Sequence, residues 1–589
     1  MGFNILPYHA AEVMVASNAG KDNADNEIVV DYSGNPVDKS RTGGWLAAGL
    51  ILGTEFAERI CVIGISMNLV TYLVGYMHLS SSKSATIVTN FMGTLNLLGL
   101  LAGFLADAKL GRYLTIAIFA SIAAVGLALL TLATSLPSMR PPLCNFRTHP
   151  EQCVEANGKQ LALLYVALNT IALGGGGIKS NVSGFGTDQF DPSDPKEEKA
   201  MIFFFNRFYF CVSIGSLFAV TVLVYVQDHV GRGWGYGISA AAMLMGVIIL
   251  LAGTRLYRFK QPQGSPLTVI WRVLFLALKK KNLPHPSHPS LLNGYDTAKI
   301  AYSPNFRCLD KAAILDDFAA KDENRHNPWI VSRVAEVEEV KMVLKLIPIW
   351  STCILFWTVY SQMTTFTIEQ ATFMNRRVGS FVIPSGSFSV FLFISILLFT
   401  SLNEKVFVPL ARKVTHSPQG FSSLQRVGVG LVFAIAAMVS AAIVEKQRRE
   451  KAVHHGLKLS AFWLLPQYFF VGAGEGFAYV GQLEFFIREA PEKMKSMSTG
   501  FFMSTLAMGF YMSSLLVSLV DRATGRWLKS NLNAGKLENF YALLAVLGVL
   551  NLFLFLFFSR RHKYKVQQQH IELDCEKELQ LQSWENGDV

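Results

Sequence analysis

Charged residues are scarce in this chain. Asp, Glu, Lys and Arg make up 16% of its 589 residues, against about a quarter in typical soluble domains, whereas 51% of the residues are hydrophobic. A chain this apolar cannot bury all of its hydrophobic side chains inside one soluble globule. The net charge of +11 does not indicate nucleic-acid binding, because the basic residues are scattered over loops and tails. We therefore expect a membrane protein that binds no nucleic acid.

Signals for catalysis, metal binding and secretion are also missing. We find no phosphate-binding glycine loop, no metal-site spacing of His and Cys, and no nucleophile with an evident base, so we expect neither an enzyme nor a cofactor. The polar first 44 residues show no cleavable signal peptide. Seven Cys are too few for a disulfide scaffold, but Cys144 and Cys153 share one polar loop. They could pair if that loop is extracytoplasmic; the alternative is two free thiols.

Twelve apolar segments are long enough to cross a bilayer. Their approximate limits are 45–77, 85–107, 113–136, 160–183, 201–226, 233–254, 340–363, 379–401, 422–445, 460–487, 495–520 and 538–559. An even number places both termini on one side, and the basic cluster from Arg560 to Lys565 predicts that this side is the cytosol. We expect a multi-pass protein of the plasma membrane, with the vacuolar membrane as the alternative.

The polar stretch 255–339 divides these segments into six before it and six after it. We therefore expect an all-α membrane protein with two parallel six-helix halves and a substrate site between them. The predicted parts are a cytosolic tail 1–44, a half 45–254, a cytosolic linker 255–339, a half 340–559 and a cytosolic tail 560–589. In the linker, Thr268 to Leu278 and the three lysines that follow are typical of an amphipathic helix on the cytosolic leaflet. A brace between the halves is the alternative.

Three charges, Glu55, Glu58 and Arg59, interrupt the first apolar segment. A charge inside a membrane costs about 2.5–3.5 kcal/mol even on lenient insertion scales, so the cluster needs a reason. On a helix, Glu55 faces both Glu58 and Arg59, which gives one face two carboxylates and one guanidinium. A surplus acid of this kind is what a proton-driven transporter requires.

Two further charges lie in apolar segments. Lys179 follows four glycines in the fourth segment, where two helices could approach closely, and its ammonium needs a carboxylate partner such as Glu58 or Glu55. Glu475 lies between glycines in the tenth segment and adds a membrane acid to the second half. Its structural alternative is a pair with Lys345 or another buried cation.

Several motifs point to one family. Gly103 to Arg112 reads GFLADAKLGR, which resembles the G-x-x-x-D-x-x-x-G-R hinge of major facilitator proteins. With Glu55-x-x-Glu58-Arg59 and the stretch from Phe205 to Leu217, the chain resembles the proton-coupled oligopeptide transporter family over about residues 40–560. It is most similar to the plant nitrate and peptide transporter branch, especially its nitrate-transporting group. That similarity lies in Gly43–Trp45, Asn68–Leu73, Gly184–Asp191 and Met497–Gly500. The family patterns differ at Ser213 and Lys109.

The resemblance implies a major facilitator fold. It also implies that the protein imports a small substrate together with protons by alternating access. Proton coupling is implied for Glu55, Glu58, Arg59, Lys179 and Glu475. A cytosolic gate is implied for the charge pair of Asp107 and Arg112. The implied cavity wall consists of Ile63, Met67, Tyr360, Thr364 and Phe510.

The expected substrate is a small anion. Peptide-binding members of the family carry an aromatic residue and a Tyr-Tyr pair after the Glu-Arg motif, where this chain has Ile60-Cys61-Val62-Ile63. The nitrate pattern carries His at position 360, whereas Tyr360 can donate a hydrogen bond but no charge. We therefore expect nitrate import of low affinity. Chloride, a plant hormone carboxylate and di- or tripeptides are the alternatives, and a membrane sensor that does not transport is the rival class.

A regulatory site is also predicted. Arg112 lies three residues before Thr115, a spacing that suits a basophilic kinase, at the cytosolic end of the third segment. The structural alternative is a helix hydroxyl bonded to its own backbone. The expected partners are therefore protons, a small anion, the lipid bilayer and a regulatory kinase; no oligomeric state is predicted.

Overall fold

The structure, a computed structural model, consists almost entirely of helices. It describes residues 29–39, 41–142, 144, 153–191, 194–260, 266–286, 288–295, 302–315, 329–415, 421–491 and 495–564. The α-helices are α1 Gly44–Ser66, α2 Leu69–Gly75, α3 Ser81–Leu105, α4 Arg112–Ser135, α5 Gly158–Thr187, α6 Pro195–Phe218, α7 Val224–His229, α8 Arg232–Ala252, α9 Pro266–Lys279, α10 Val334–Tyr360, α11 Phe366–Thr372, α12 Val390–Leu402, α13 Val408–Thr415, α14 Ser423–His454, α15 Leu465–Glu489, α16 Lys495–Thr524 and α17 Leu537–Arg561.

Short elements complete the described chain. Strand β1 (Val29–Val30) pairs antiparallel with β2 (Phe259–Lys260), and β3 (Arg377–Val378) pairs antiparallel with β4 (Phe381–Val382). In register, Val29 lies opposite Lys260 and Arg377 opposite Val382. Turns of π-helix continue α3, α6 and α12 at Ala106–Leu110, Ala219–Leu223 and Asn403–Phe407.

Ten helical segments of the described residues are long and apolar enough to cross a membrane. Helices α1 and α15 are also long, at 23 and 25 residues, but α1 carries three charges and α15 is rich in Gly, Gln and Tyr. With these two, the described chain contains the twelve long helices that the sequence predicts. The all-α membrane class is confirmed.

Glycines set how closely α5 packs against its neighbours. A Cβ atom on Gly176 would lie 2.6 Å from the carbonyl oxygen of Leu95 in α3, and one on Gly174 would lie 2.4 Å from the backbone nitrogen of Ala123 in α4. Any larger residue would therefore push these helices apart. The close approach brings Lys179, which lies one helical turn further along α5, beside α3.

The chain forms two compact units. The first comprises Met1–Ser265, Cys353–Gly481 and Gly500–Asn551, and it contains every residue of the predicted coupling and cavity sites. Cys144 and Cys153 of this unit are joined by a disulfide, with Cα atoms 5.6 Å apart. The division at 254 and 340 into two halves stays a prediction.

The second unit comprises Pro266–Thr352, Gln482–Thr499 and Leu552–Val589. Its buried Lys341 forms ion pairs with Asp310 and Glu338, both at 2.7 Å. The Tyr302 hydroxyl donates to Asp310 at 2.8 Å. Burial, together with this hydrogen bond, raises the pKa of Tyr302 to about 12. These contacts fasten the linker to the start of α10.

The linker segment that the sequence predicts as an amphipathic helix is α9. Trp271, Phe275 and Leu278 are exposed on it, whereas Val273 and Leu276 are buried. The helix itself is confirmed, and its contact with a lipid leaflet stays a prediction. The remaining predicted parts of the tails, residues 1–28 and 565–589, lie outside the described residues.

Candidate functional site

The three charged residues of α1 form one buried cluster. The Arg59 Nε atom donates to Glu55 Oε1 at 2.7 Å and lies 3.2 Å from Glu58 Oε2. Both carboxylates are almost fully buried, whereas the Arg59 side chain is 15% exposed. One guanidinium thus serves two acids on the same helix face. Among the described residues, neither oxygen of Glu58 and only one oxygen of Glu55 has a hydrogen-bond partner.

Lys179 of α5 interacts electrostatically with this cluster. Its Nζ atom donates to Asn96 Oδ1 of α3 at 2.9 Å. The predicted salt bridge to Glu58 or Glu55 is not the contact formed: within the described part of the chain, Lys179 has no carboxylate within 4.0 Å, although it interacts electrostatically with both acids. Because α5 packs closely on α3, the Lys179 ammonium contacts Asn96 of α3. Asn96 was missed at the sequence level, although an amide inside an apolar segment was a usable signal.

Glu475 connects to Tyr360 across two helices. Tyr360 of α10 and Glu475 of α15 interact electrostatically. The carboxylate oxygen Oε2 of Glu475 is buried and has no hydrogen-bond partner among the described residues. Glu475 also interacts electrostatically with Lys179. The acid of the second half therefore faces both the predicted anion position and the predicted coupling lysine.

Four of the five predicted cavity residues lie in one apolar cluster: Ile63, Met67, Tyr360 and Phe510. The rings of Tyr360 and Phe510 meet edge to face, with centroids 6.5 Å apart. The fifth residue, Thr364, is buried, and its hydroxyl donates to the Ser361 carbonyl at 2.9 Å. Its hydrogen bond is therefore used within its own helical turn.

Two tyrosines near Arg59 were not predicted as site residues. Tyr209 of α6 and Tyr479 of α15 both interact electrostatically with Arg59. The Tyr479 ring packs edge-on against Phe502, with centroids 4.8 Å apart. Tyr209 lies in the stretch from Phe205 to Leu217, used above only as a family signature, and nothing in the sequence distinguished Tyr479 from the many other aromatic residues.

At the start of α4, Arg112 binds an acid that was not predicted as a gate residue. Its Nη1 atom donates to both carboxylate oxygens of Asp188, at 2.9 and 2.7 Å. Lys260 also lies 3.6 Å from Asp188. The predicted pairing of Arg112 with Asp107 stays a prediction. The stretch Gly184–Asp191, used above only as a family signature, supplies the observed partner.

Thr115 is fully buried at the start of α4. Its hydroxyl donates to the Gly111 carbonyl at 2.8 Å. This is the backbone hydrogen bond named above as the alternative to a kinase site. A kinase could reach this side chain only after local opening, so phosphorylation stays a prediction.

The N-terminal end of α3 contacts two acids from the second half of the chain. The Ser81 hydroxyl donates to Glu369 of α11, and the Ser82 hydroxyl donates to Asp521 of α16 at 2.8 Å. Carboxylates are stabilised at a helix N-terminus by the helix dipole. These contacts hold this end of the first compact unit together.

The described residues bring one group of possible metal ligands within 4.8 Å of one another: His78, Cys144 and Cys153. The disulfide uses both sulfur atoms, and zinc binding requires free thiolates. This group therefore does not form a metal site in the structure.

Comparisons with known proteins agree on one family. Residues 113–534 match the sequence profile described as the POT family. The chain is 68% identical to Protein NRT1/ PTR FAMILY 6.4 of Arabidopsis thaliana over 92% of each chain. It is 48% identical to Protein NRT1/ PTR FAMILY 6.3 of the same plant, over 88% of this chain and 91% of that one.

Solved structures share the fold. An auto-inhibited peptide transporter of the POT family superposes with a TM-score of 0.64 at 21% identity, covering 88% of this chain and 97% of that one. The POT family transporter PepTSo gives the same TM-score and identity, with 88% and 98% covered. At this identity the likeness concerns the fold alone.

Proposed function

Because this chain belongs to the POT family, we propose that it is a proton-coupled symporter that imports nitrate with low affinity by alternating access. The family consists of transporters, so the chain is a multi-pass membrane transporter with the major facilitator fold and not an enzyme. The observation that carries the coupling proposal is the α1 cluster, in which two buried acids share one arginine and Glu58 lacks hydrogen bonds to described residues.

Glu58 is the proposed proton carrier. An ionised carboxylate without hydrogen bonds is costly in a buried position, and protonation removes that cost. Protonation also removes the negative charge that attracts Arg59 and Lys179. Lys179 is on α5, so its attraction to α1 changes with the proton. This differential interaction biases the equilibrium between outward-open and inward-open states.

Glu475 would couple the proton to the substrate. An anion that binds near the Tyr360 hydroxyl approaches Glu475, with which Tyr360 interacts electrostatically. An ionised Glu475 repels the anion, whereas a protonated Glu475 does not. Anion and proton therefore favour each other's binding. Such reciprocal coupling is what symport requires.

The apolar wall supports a weakly hydrated anion as substrate. Ile63, Met67 and Phe510 offer no hydrogen-bonding side chains, and the Thr364 hydroxyl is already bonded to its own turn. A zwitterionic peptide backbone would lose more hydration here than nitrate would. Peptide symport is the second candidate, and Val62 and Ile63, where peptide-binding members carry tyrosines, disfavour it. Chloride and an apolar hormone carboxylate remain alternatives for the same wall.

Membrane energetics defines the role of the proton. Moving one negative charge into a negative cell interior costs about 2.3 kcal/mol per 100 mV. Nitrate import with one proton is electroneutral, and import with two protons is driven by the membrane potential. Two titratable acids on α1 allow either ratio. We place the protein in the plasma membrane with both termini in the cytosol.

Substrate-evoked current in oocytes tests this function. Cells that express the protein are compared at acidic and neutral pH with nitrate, chloride, a dipeptide and a hormone carboxylate, beside uninjected cells. We expect nitrate to give the largest acid-stimulated tracer uptake, with an inward current if two protons enter with each anion. Dipeptide uptake larger than nitrate uptake would identify a peptide as the substrate instead. Surface expression without any substrate-evoked current or tracer flux would favour the non-transporting sensor.

A further inference from the structure

A cavity of about 340 Å³ lies between α3, α5 and α16, apart from the apolar wall of the proposed nitrate site. Asn90 of α3 and Asn169 of α5 are exposed and line it. At 1.5 Å per residue, they lie about 14 and 16 Å along their helices from Ser81 and Gly158. Amides at such membrane depth are rare unless they serve a function. Asn90 makes no hydrogen bond with any described residue.

The surface around this cavity is apolar. Val166 of α5 is 55% exposed, and Leu515 and Leu519 of α16 are each 52% exposed. Large apolar residues that remain exposed on membrane helices face lipid. The cavity is therefore a polar cleft that adjoins a lipid-facing surface.

The outer rim of the cleft carries two cations. Lys83 and Arg522 line it, and the third charged lining residue is Asp521, which accepts the hydrogen bond from Ser82. Lys83 lies 3.6 Å from the half-exposed Glu155. Arg522 is exposed and forms no hydrogen bond or ion pair with the described residues. Glu155 offsets Lys83, and Asp521 accepts from Ser82, whereas the Arg522 guanidinium is unused.

We propose that this cleft binds an anionic phospholipid of the outer leaflet, with its phosphate between Lys83 and Arg522. A guanidinium matches the oxygen geometry of phosphate, and a lysine adds a point charge. The exposed amides and hydroxyls of the cleft take the polar groups of the lipid. Its acyl chains then lie along Val166, Leu515 and Leu519. The proposal rests on the membrane orientation proposed above and is independent of the transported substrate.

A lipid in this position would act on the transport cycle. Helices α3 and α16 meet beside the cleft through Ser82 and Asp521, and through a hydrogen bond of 2.9 Å between Thr94 and Tyr511. A headgroup bound by cations of both helices adds a further link between them. It therefore stabilises the state in which this end is closed.

Lipid titration of the purified full-length protein tests the proposal. Native mass spectrometry measures the binding of phosphatidylglycerol and of phosphatidylcholine with the same acyl chains. We expect the wild type to prefer phosphatidylglycerol. The variant K83Q/R522Q should lose about thirtyfold of this preference, since each cation contributes about fivefold. The matched control is R526Q/K529Q, which removes two exposed charges from the following loop outside the cleft.

Further arms keep the proposal falsifiable. Ser518→Trp fills the cleft without changing its charge and should reduce phosphatidylglycerol binding, even if K83Q/R522Q folds poorly. The thermal midpoint in phosphatidylcholine alone checks the folding of each variant. If K83Q/R522Q and R526Q/K529Q lost the preference for phosphatidylglycerol equally, general surface charge would explain it and the proposal would be overturned. Displacement of the lipid by millimolar glycerol phosphate would also overturn it, because the site would then take a free anion. A failed nitrate assay would leave this binding result unaffected.

Discussion

Two buried helical ion pairs in this protein differ in how completely they are satisfied. In α14, Arg448 donates to both oxygens of Glu445 at 2.7 Å and also to Asn533 and the Leu532 carbonyl. Both side chains are almost fully buried. In α1, Arg59 is shared by two acids, and Glu58 has no hydrogen bond to a described residue. The spacing along the helix is similar in the two places, but only the α14 pair is complete.

The difference indicates two uses of buried charge. A complete pair has no reason to change its protonation state, and its removal leaves an uncompensated charge in an apolar interior. An incomplete cluster is poorly stabilised in its charged form and gains from a proton. We therefore expect the α14 pair to stabilise the fold and the α1 cluster to carry the transport function.

The largest effect is expected at the complete pair. Arg448→Met should lower the free energy of unfolding by about 3–5 kcal/mol, because Glu445 is left buried without its cation. Thermal unfolding in nanodiscs measures the change. The control Lys446→Met alters an exposed residue of the same helix and should cost less than about 0.5 kcal/mol. Recovery of stability in the double variant Arg448→Met with Glu445→Gln would show that the unpaired Glu445 causes the loss. An unaffected midpoint in Arg448→Met would contradict the stabilising role of this pair.

Glu58→Gln should have the opposite profile. Acid-stimulated uptake should fall at least about tenfold, because glutamine cannot release a proton at this position. Thermal stability should change little, since Glu58 has no hydrogen bond to a described residue to lose. Tracer uptake at acidic and neutral pH is normalised to surface protein, with the exposed Glu450→Gln as control. Undiminished acid-stimulated uptake would rule out the coupling role.

Lys179 tests whether the incomplete cluster extends to a second helix. Lys179→Ala should lower uptake about tenfold, because the acids of α1 lose a charge on α5 that responds to their protonation. Asn96→Leu should cause a smaller loss, since it removes the hydrogen bond of 2.9 Å but keeps the charge. Lys159→Ala, which alters an exposed residue of α5, is the control. Equal uptake in Lys179→Ala and wild type would confine the coupling to α1.

Tyr360→His probes the acid of the second half. A protonated imidazole would add a positive charge beside Glu475 and the anion, so the half-saturation concentration for nitrate should fall about three- to tenfold at acidic pH. The gain should shrink towards neutral pH as the imidazole loses its proton. Tyr360→Phe, which removes the hydroxyl alone, separates charge from the lost hydrogen bond. The same half-saturation concentration in wild type and Tyr360→His at every pH would contradict this role.

The smallest effect is expected at Thr115, which belongs to neither ion pair. Thr115→Asp should change half-saturation or turnover about twofold relative to Thr115→Ala, because a negative charge beside Arg112 competes with Asp188 for its guanidinium. Uptake is normalised to surface protein, because an aspartate at this buried position also costs stability. Matching kinetics, together with no phosphate on Thr115 in cells, would leave this residue as a buried helix hydroxyl.

Much of the fold could be predicted because membrane helices are defined by contiguous apolar length. Helices α1 and α15 show the limit of this rule: their charges and glycines make them too polar for a composition test, although both are long helices. Both were nevertheless predicted, because the apolar segments 45–77 and 460–487 are long enough to cross a bilayer.

The sequence by itself determined the local features of the candidate site. The contact between Glu55 and Arg59 follows from four-residue spacing on one helix, which needs no knowledge of other helices. The tertiary structure decided every partner across helices. Lys179 donates to Asn96 and Arg112 to Asp188, and Tyr360 interacts electrostatically with Glu475. These partners lie at least 76 residues apart in the first two cases. Which of several polar groups a side chain reaches depends on how closely two helices pack, and small residues such as Gly176 set that distance.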